Sequence, residues 1–181
     1  MDPSWTLADA RAEYYERNHF GADGGDSLAW VPVKVVGITF KIPNTAGRKR
    51  AVRIHDLHHV LTGYDTTLRG EAEIGAWELA SGCLRWPAAQ VLNTVALVMG
   101  MLIAPRRTVR AWARGRATKN LYTQGGVDHL LPRTVGEMRD ELGLGLEGAR
   151  PRGTLRDLAG VVATIVFAPL LAIGSLVIAR R

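Results

Sequence analysis

RIHDLHHVLTGYDTTLRGEAEIGAWELA, residues 53–80, decides how the rest of this chain is read. Three of its histidines, His55, His58 and His59, fall within five positions, with Asp56 among them. On a helix His55 and His59 share one face a turn apart, close enough to hold one ion. Their spacing is that of HExxH zinc helices, with Asp56 at the acid position. Thr62-Gly63 ends this helix, Asp65, Thr66 and Thr67 supply a turn and caps, and a second helix starts at about Arg69. So short a connection predicts an antiparallel pair. It returns Glu71 towards the histidines and carries Glu78 two turns further on, while Trp77 and Leu79 read as core.

Two imidazoles and carboxylates form a borderline ligand set. It suits zinc, ferrous iron or manganese, whereas magnesium prefers more oxygen donors. Histidines and acids beside strongly apolar helices lose hydration unless they are paired, protonated or ligated. The expected metal ligands are therefore His55, Asp56, His59 and Glu71. His58 faces elsewhere on the helix, and His19 and His129 stand apart in the sequence.

Working outward, Thr6 caps a helix with Asp9 three residues on, running to about Arg17 with Leu7, Ala10, Tyr14 and Tyr15 inward. His19 to Ser27 is a Gly- and Asp-rich loop. Trp30 to Phe40, rich in Val and Ile, reads as strand, folding back through Pro43-Asn44-Thr45-Ala46-Gly47 towards Arg50 to Arg53. The uncharged run from Pro87 to Pro105, with Gln90, Asn93 and Thr94 near its start, reads as a central core helix or one wall of a lipid-lined cavity. Beyond it, Arg106, Arg107, Arg110, Arg114, Arg116 and Lys119 form a basic helix interrupted by Trp112. Beside apolar helices such a surface suits anionic headgroups better than nucleic acid.

The 22 residues from Leu158 to Ala179 carry no ionisable side chain, long enough for a membrane span despite Pro169. Arg152 and Arg156 precede them, and Arg180 and Arg181 follow. The alternative is a buried terminal helix. The organisation expected is mainly α: a helical metal- and lipid-binding domain over 1–157 with a small N-terminal β-hairpin, then a hydrophobic C-terminal helix over 158–179 as candidate anchor. A protein built this way belongs at a membrane, on the cytoplasmic side of the inner membrane if bacterial.

Composition bounds the rest. With 181 residues, 47% hydrophobic and 22% charged, the chain supports one packed domain and excludes a disordered one. Twenty-three Lys plus Arg against 17 acidic residues give a net charge of +6. The single cysteine, Cys83, excludes an intrachain disulfide framework or a thiolate-rich metal site. No basic segment followed by an apolar run opens the chain, which argues against a cleaved secretory leader.

The pattern H-D-x-x-H, eleven residues, then E, here His55-Asp56-Leu57-His58-His59 followed by Glu71, resembles the ubiquinone-biosynthesis proteins of the COQ-four family. Gly70, Glu71 and Glu78 extend the likeness, as do Trp112, Gly115, Leu121, Val127-Asp128, Arg139 and Leu142, so that it covers roughly residues 50–145. Trp30 to Gly47 and the tail beyond residue 157 lie outside it. The resemblance implies a helical protein whose His55, Asp56, His59 and Glu71 bind a divalent metal beside an isoprenoid cavity. It further implies oxidative replacement of the ring C1 carboxylate of a prenylated quinone precursor by hydroxyl, and contacts with other quinone-biosynthesis enzymes.

In that setting Glu78 is the candidate to move a proton as catalytic group. No flavin or nicotinamide fingerprint is present, and Gly143, Gly145 and Gly148 follow no strand. A zincin-like metallohydrolase and a non-catalytic isoprenoid-lipid-binding scaffold with structural metal are the competing classes, and a homo-oligomer is compatible with any of the three.

Overall fold

In the computed structural model, residues 1–35, 38–145 and 153–179 are described. Arg152, Gly148, Arg180 and Arg181 lie outside them. Among the described residues, the α-helices and the two-stranded sheet are α1 (Leu7–Arg17), β1 (Trp30–Val35), β2 (Ile38–Pro43), α2 (Ala46–Thr62), α3 (Leu68–Ser81), α4 (Pro87–Ile103), α5 (Pro105–Ala117), α6 (Val135–Leu142) and α7 (Leu155–Ala179). Short 3-10 turns occupy Leu121–Gln124 and Asp128–Leu130. The expected class, mainly α with a small N-terminal β-hairpin and a C-terminal helix, is what the structure shows.

Local sequence explains most boundaries. Thr6 accepts from the Asp9 N–H to start α1, and Leu7, Ala10, Tyr14 and Tyr15 are its buried residues. Thr45 caps α2 and Thr67 caps α3 in the same way, each through a side-chain oxygen accepting from the amide three residues on. Gly63 ends α2 at φ 76°, a left-handed conformation that side chains other than glycine disfavour. Proline at the first position opens both α4 and α5.

The hairpin corrects the sequence reading. β1 and β2 pair antiparallel from Trp30↔Pro43 to Val35↔Ile38, so both strands lie within residues 30–43. Ala46-Gly47, expected in the turn, and the segment leading to Arg50 to Arg53, expected as its return, are instead the first turns of α2. Thr45 was the deciding signal: its cap commits the chain to a helix just where a turn was read.

Two apolar cores result. The larger joins α1, α2, α3, α6 and the 121–124 turn around Leu7, Ile54, Leu57, Leu61, Trp77, Leu121 and Met138. The smaller gathers Ala76, Leu97, Ala111, Trp112 and Val161 where α3, α4, α5 and α7 meet. α3 lies very close to α4 and α5. A Cβ at Gly75 would stand 2.9 Å from the Ala96 Cβ, and one at Gly115 2.8 Å from the Ala80 Cβ, so glycine is what permits the approach.

Among the described residues no helix is long and apolar enough to cross a membrane. This corrects the expected span over 158–179, and with it the membrane-associated placement at a bacterial inner membrane. Part of the apolar run is used in helix packing: Val161 is completely buried, and Ile165 lies against the same core. The N-terminal end of α7 is polar and tied down. Thr154 donates to Asp157 and accepts from its amide, and Arg116 bonds Asp157 at 2.8 Å.

Candidate metal centre

α2 and α3 bring three of the expected ligands together. His55 Nε2 and His59 Nε2 are 3.1 Å apart. Glu71 places one carboxylate oxygen 3.4 Å from each: Oε2 from His55 and Oε1 from His59. Donors about 2.0–2.2 Å from one tetrahedral ion stand about 3.3–3.5 Å from one another. The three side chains fit a single cation without rearrangement of the helices.

Their orientation comes from what lies behind them. His59 Nδ1 is 2.9 Å from the Tyr64 carbonyl, which only accepts, so Nδ1 carries the proton. His55 Nδ1 is 2.9 Å from Glu78 Oε1, and the carboxylate likewise demands a proton there. With each Nδ1 proton committed in this way, Nε2 is the nitrogen each ring has free for an ion, and the two Nε2 atoms face each other. Two lone pairs at 3.1 Å repel unless a proton or a metal ion lies between them. Tyr14 stacks on the His59 ring with centroids 5.5 Å apart, fixing the ring plane as well.

Glu71 enters the trio because the α2–α3 connection is tight. Thr67 caps α3, and a Cβ at Gly70 would collide with the Asp65 carbonyl, so the loop rests directly on the helix. Burial alone would raise the Glu71 carboxyl. Hydrogen bonds and charge from His55 and His59 outweigh it and hold the group down at about 2. His55 is shifted the other way: burial opposes its protonation, yet Glu78 and Glu71 raise it well above an ordinary imidazole. With Glu71 partly open to solvent and His59 almost closed, the trio has one accessible side.

Asp56, expected as the fourth ligand, stands outside this group. Its side chain leaves α2 on the α1 side, where Oδ2 accepts from the Tyr15 hydroxyl at 3.0 Å. Burial raises its carboxyl above the ordinary range. The acid between the histidines thus ties α2 to α1, and a helix shows why: one residue after His55 points about 100° away.

Glu78 lies behind the trio, completely buried. Oε1 accepts from His55 and, at 2.6 Å, from His58; Oε2 accepts from Asn93 at 2.5 Å and from the Tyr122 hydroxyl at 2.9 Å. Burial would favour its neutral form, but its histidine partners keep the carboxyl well below the usual range. Four donors saturate it, which leaves no lone pair aimed at a substrate. Its geometry is that of a carboxylate orienting a ligating imidazole.

Sequence reasoning missed most of this inner layer. His58 is fully buried; its Nε2 accepts from the Leu121 N–H at 2.9 Å, so Nδ1 donates to Glu78, and burial lowers its basicity. Asn93 and Tyr122 had no assigned role. The available signal was Gln90 and Asn93 in an otherwise apolar helix, both of which the structure buries. Further along the chain, Arg139 donates to the Val60 and Leu61 carbonyls at the end of α2, and Trp112 of α5 is buried against Gly160 of α7.

Comparison of the chain with protein-family models, with curated proteins and with solved structures finds no match.

Proposed function

We propose that this chain is a metal-dependent protein of quinone biosynthesis, in which His55, His59 and Glu71 hold one divalent ion and a prenylated aromatic precursor is the substrate. One observation carries the metal: two imidazole Nε2 atoms, each left as the free ring nitrogen by a partner that takes the Nδ1 proton, face each other at 3.1 Å with a carboxylate 3.4 Å from both. The quinone assignment rests on the resemblance of His55-Asp56-Leu57-His58-His59, Glu71 and Glu78 to the COQ-four pattern.

Nitrogen and oxygen donors in this number suit zinc or iron first, with manganese next and magnesium last. Three protein ligands leave a coordination position for an oxygen of substrate or water. When bound, the ion supplies a Lewis acid for a phenolate or carboxylate oxygen. The chain's own contribution is orientation: Glu78 holds His55, the Tyr64 carbonyl holds His59, and Tyr14 covers the His59 face. Glu78 acts here as a positioning residue, because it is closed off behind His55.

A zincin-like hydrolase draws less support. That chemistry needs a free acid beside the metal-bound water, and Asp56 is turned away from the trio and engaged by Tyr15. Native mass spectrometry of the purified chain tests the assignment. It is expected to show one divalent ion per chain and a prenylated aromatic acid or phenol. In cells that depend on this chain, His59→Ala should accumulate the carboxylated precursor. Unchanged quinone levels with that variant would contradict the quinone assignment, and metal without turnover of any prenylated aromatic would leave a binding scaffold.

A further inference from the structure

Among the described side chains, the outward faces of α4 and of α7 as far as Leu170 are apolar. On α4, Val91, Val95, Val98 and Leu102 recur every three or four residues and are 51, 50, 37 and 74% exposed, while Gln90, Asn93, Leu97 and Gly100 are buried. On α7, Leu155, Leu158, Val162 and Val166 repeat the same spacing at 85, 37, 48 and 65%, opposite the buried Val161. Leu170 continues the row, 65% exposed. The two helices are neighbours, since Met101 near the end of α4 and Leu155 and Leu158 at the start of α7 line one cavity.

With Leu92 and Phe167 these side chains expose on the order of 1,000 Å² of apolar surface, whereas the largest such patch on an ordinary monomer is about 300–600 Å². A stable interface covers about 800 Å² on each partner. The patch is therefore large enough to form one.

We propose that the α4–α7 face is a self-association surface, on which a second copy of this chain docks through the same two helices about a twofold axis. Two features select a second copy. Rows spaced three and four residues apart suit helix-on-helix interdigitation at a shallow angle. A symmetric contact requires a face that tolerates itself, and no ionisable residue occurs from Pro87 to Ile103 or from Leu158 to Ala179.

The test is the solution mass of the full chain by sedimentation velocity at micromolar concentration. Wild type is expected at twice the chain mass of 19.7 kDa. Val95→Glu/Val162→Glu should run at the single-chain mass, with at least a 100-fold weaker dissociation constant and unchanged far-UV circular dichroism. Should that pair lose helicity, Leu102→Lys/Leu155→Lys, at the most exposed positions, must give the same dissociation. A monomeric wild type overturns the proposal, as does a dimer that survives in a folded variant. So does a monomer that sediments with phosphatidylcholine vesicles, which would assign the face to lipid.

Discussion

The space behind the metal centre and the outer face of α4 and α7 invert the ordinary distribution of polarity in opposite senses. Behind the centre, Glu78, His58 and Asn93 are almost completely removed from water, yet Glu78 alone receives four hydrogen bonds. On the outer face, valines and leucines stand in water with no cover from the described chain. Buried polarity is tolerated where every group finds a partner, because an unpaired buried charge costs several kcal/mol. Exposed apolar rows persist where a partner supplies the missing cover. α4 takes part in both, burying Asn93 beneath one face and presenting Val91 and Val95 on the other.

The largest effect is expected from His59→Ala. Removing one of the two imidazoles should lower divalent-ion affinity by more than 100-fold in a metal competition titration, while the α4–α7 face keeps its association state. Loss of both together would show that the two regions are coupled through α4. Next is Glu78→Ala, which leaves His55, His58, Asn93 and Tyr122 without their common acceptor. Urea unfolding should show a loss of roughly 3–5 kcal/mol. Glu78→Gln keeps the volume and some of the bonds but removes the charge behind His55. It should weaken metal binding about 10–100-fold, with a smaller cost in stability. A Glu78→Gln protein with wild-type metal affinity would remove the positioning role.

The smallest effect belongs to α7. Thr154→Ala removes the cap at Asp157 and should cost about 1 kcal/mol at neutral pH. Burial would raise the Asp157 carboxyl, but Thr154 and Arg116 together hold it below the ordinary range. Its stabilisation is therefore complete above the unfolded carboxylate range and lost as pH falls through the lower folded value. The gap between wild type and Thr154→Ala should narrow in acid, and a gap that widens below about pH 4 would contradict this.

How much of this was legible in the sequence follows from range. The caps at Thr6 and Thr67 act over three residues, and α1 and α3 could be placed from them, whereas the equally local cap at Thr45 was read as part of a turn. His55, His59 and Glu71 were legible because one helical turn and one short connection determine their meeting. Asp56 misled because the motif groups residues by proximity in sequence, while the helix turns it towards Tyr15, 41 residues earlier. His58, Asn93 and Tyr122 converge on Glu78 across separations of 15–44 residues, which no local pattern encodes. The C-terminal run was read from length and hydropathy alone, and neither reveals that Val161 packs inward.

Isothermal titration of the metal-free full chain with zinc, and separately with ferrous iron under anaerobic conditions, tests the central claim most directly. The account predicts one ion per chain for at least one of them, with binding abolished in His55→Ala/His59→Ala and retained in Asp56→Asn. Absence of saturable binding by the folded wild-type chain to either ion, or binding that survives loss of both imidazoles, would contradict it.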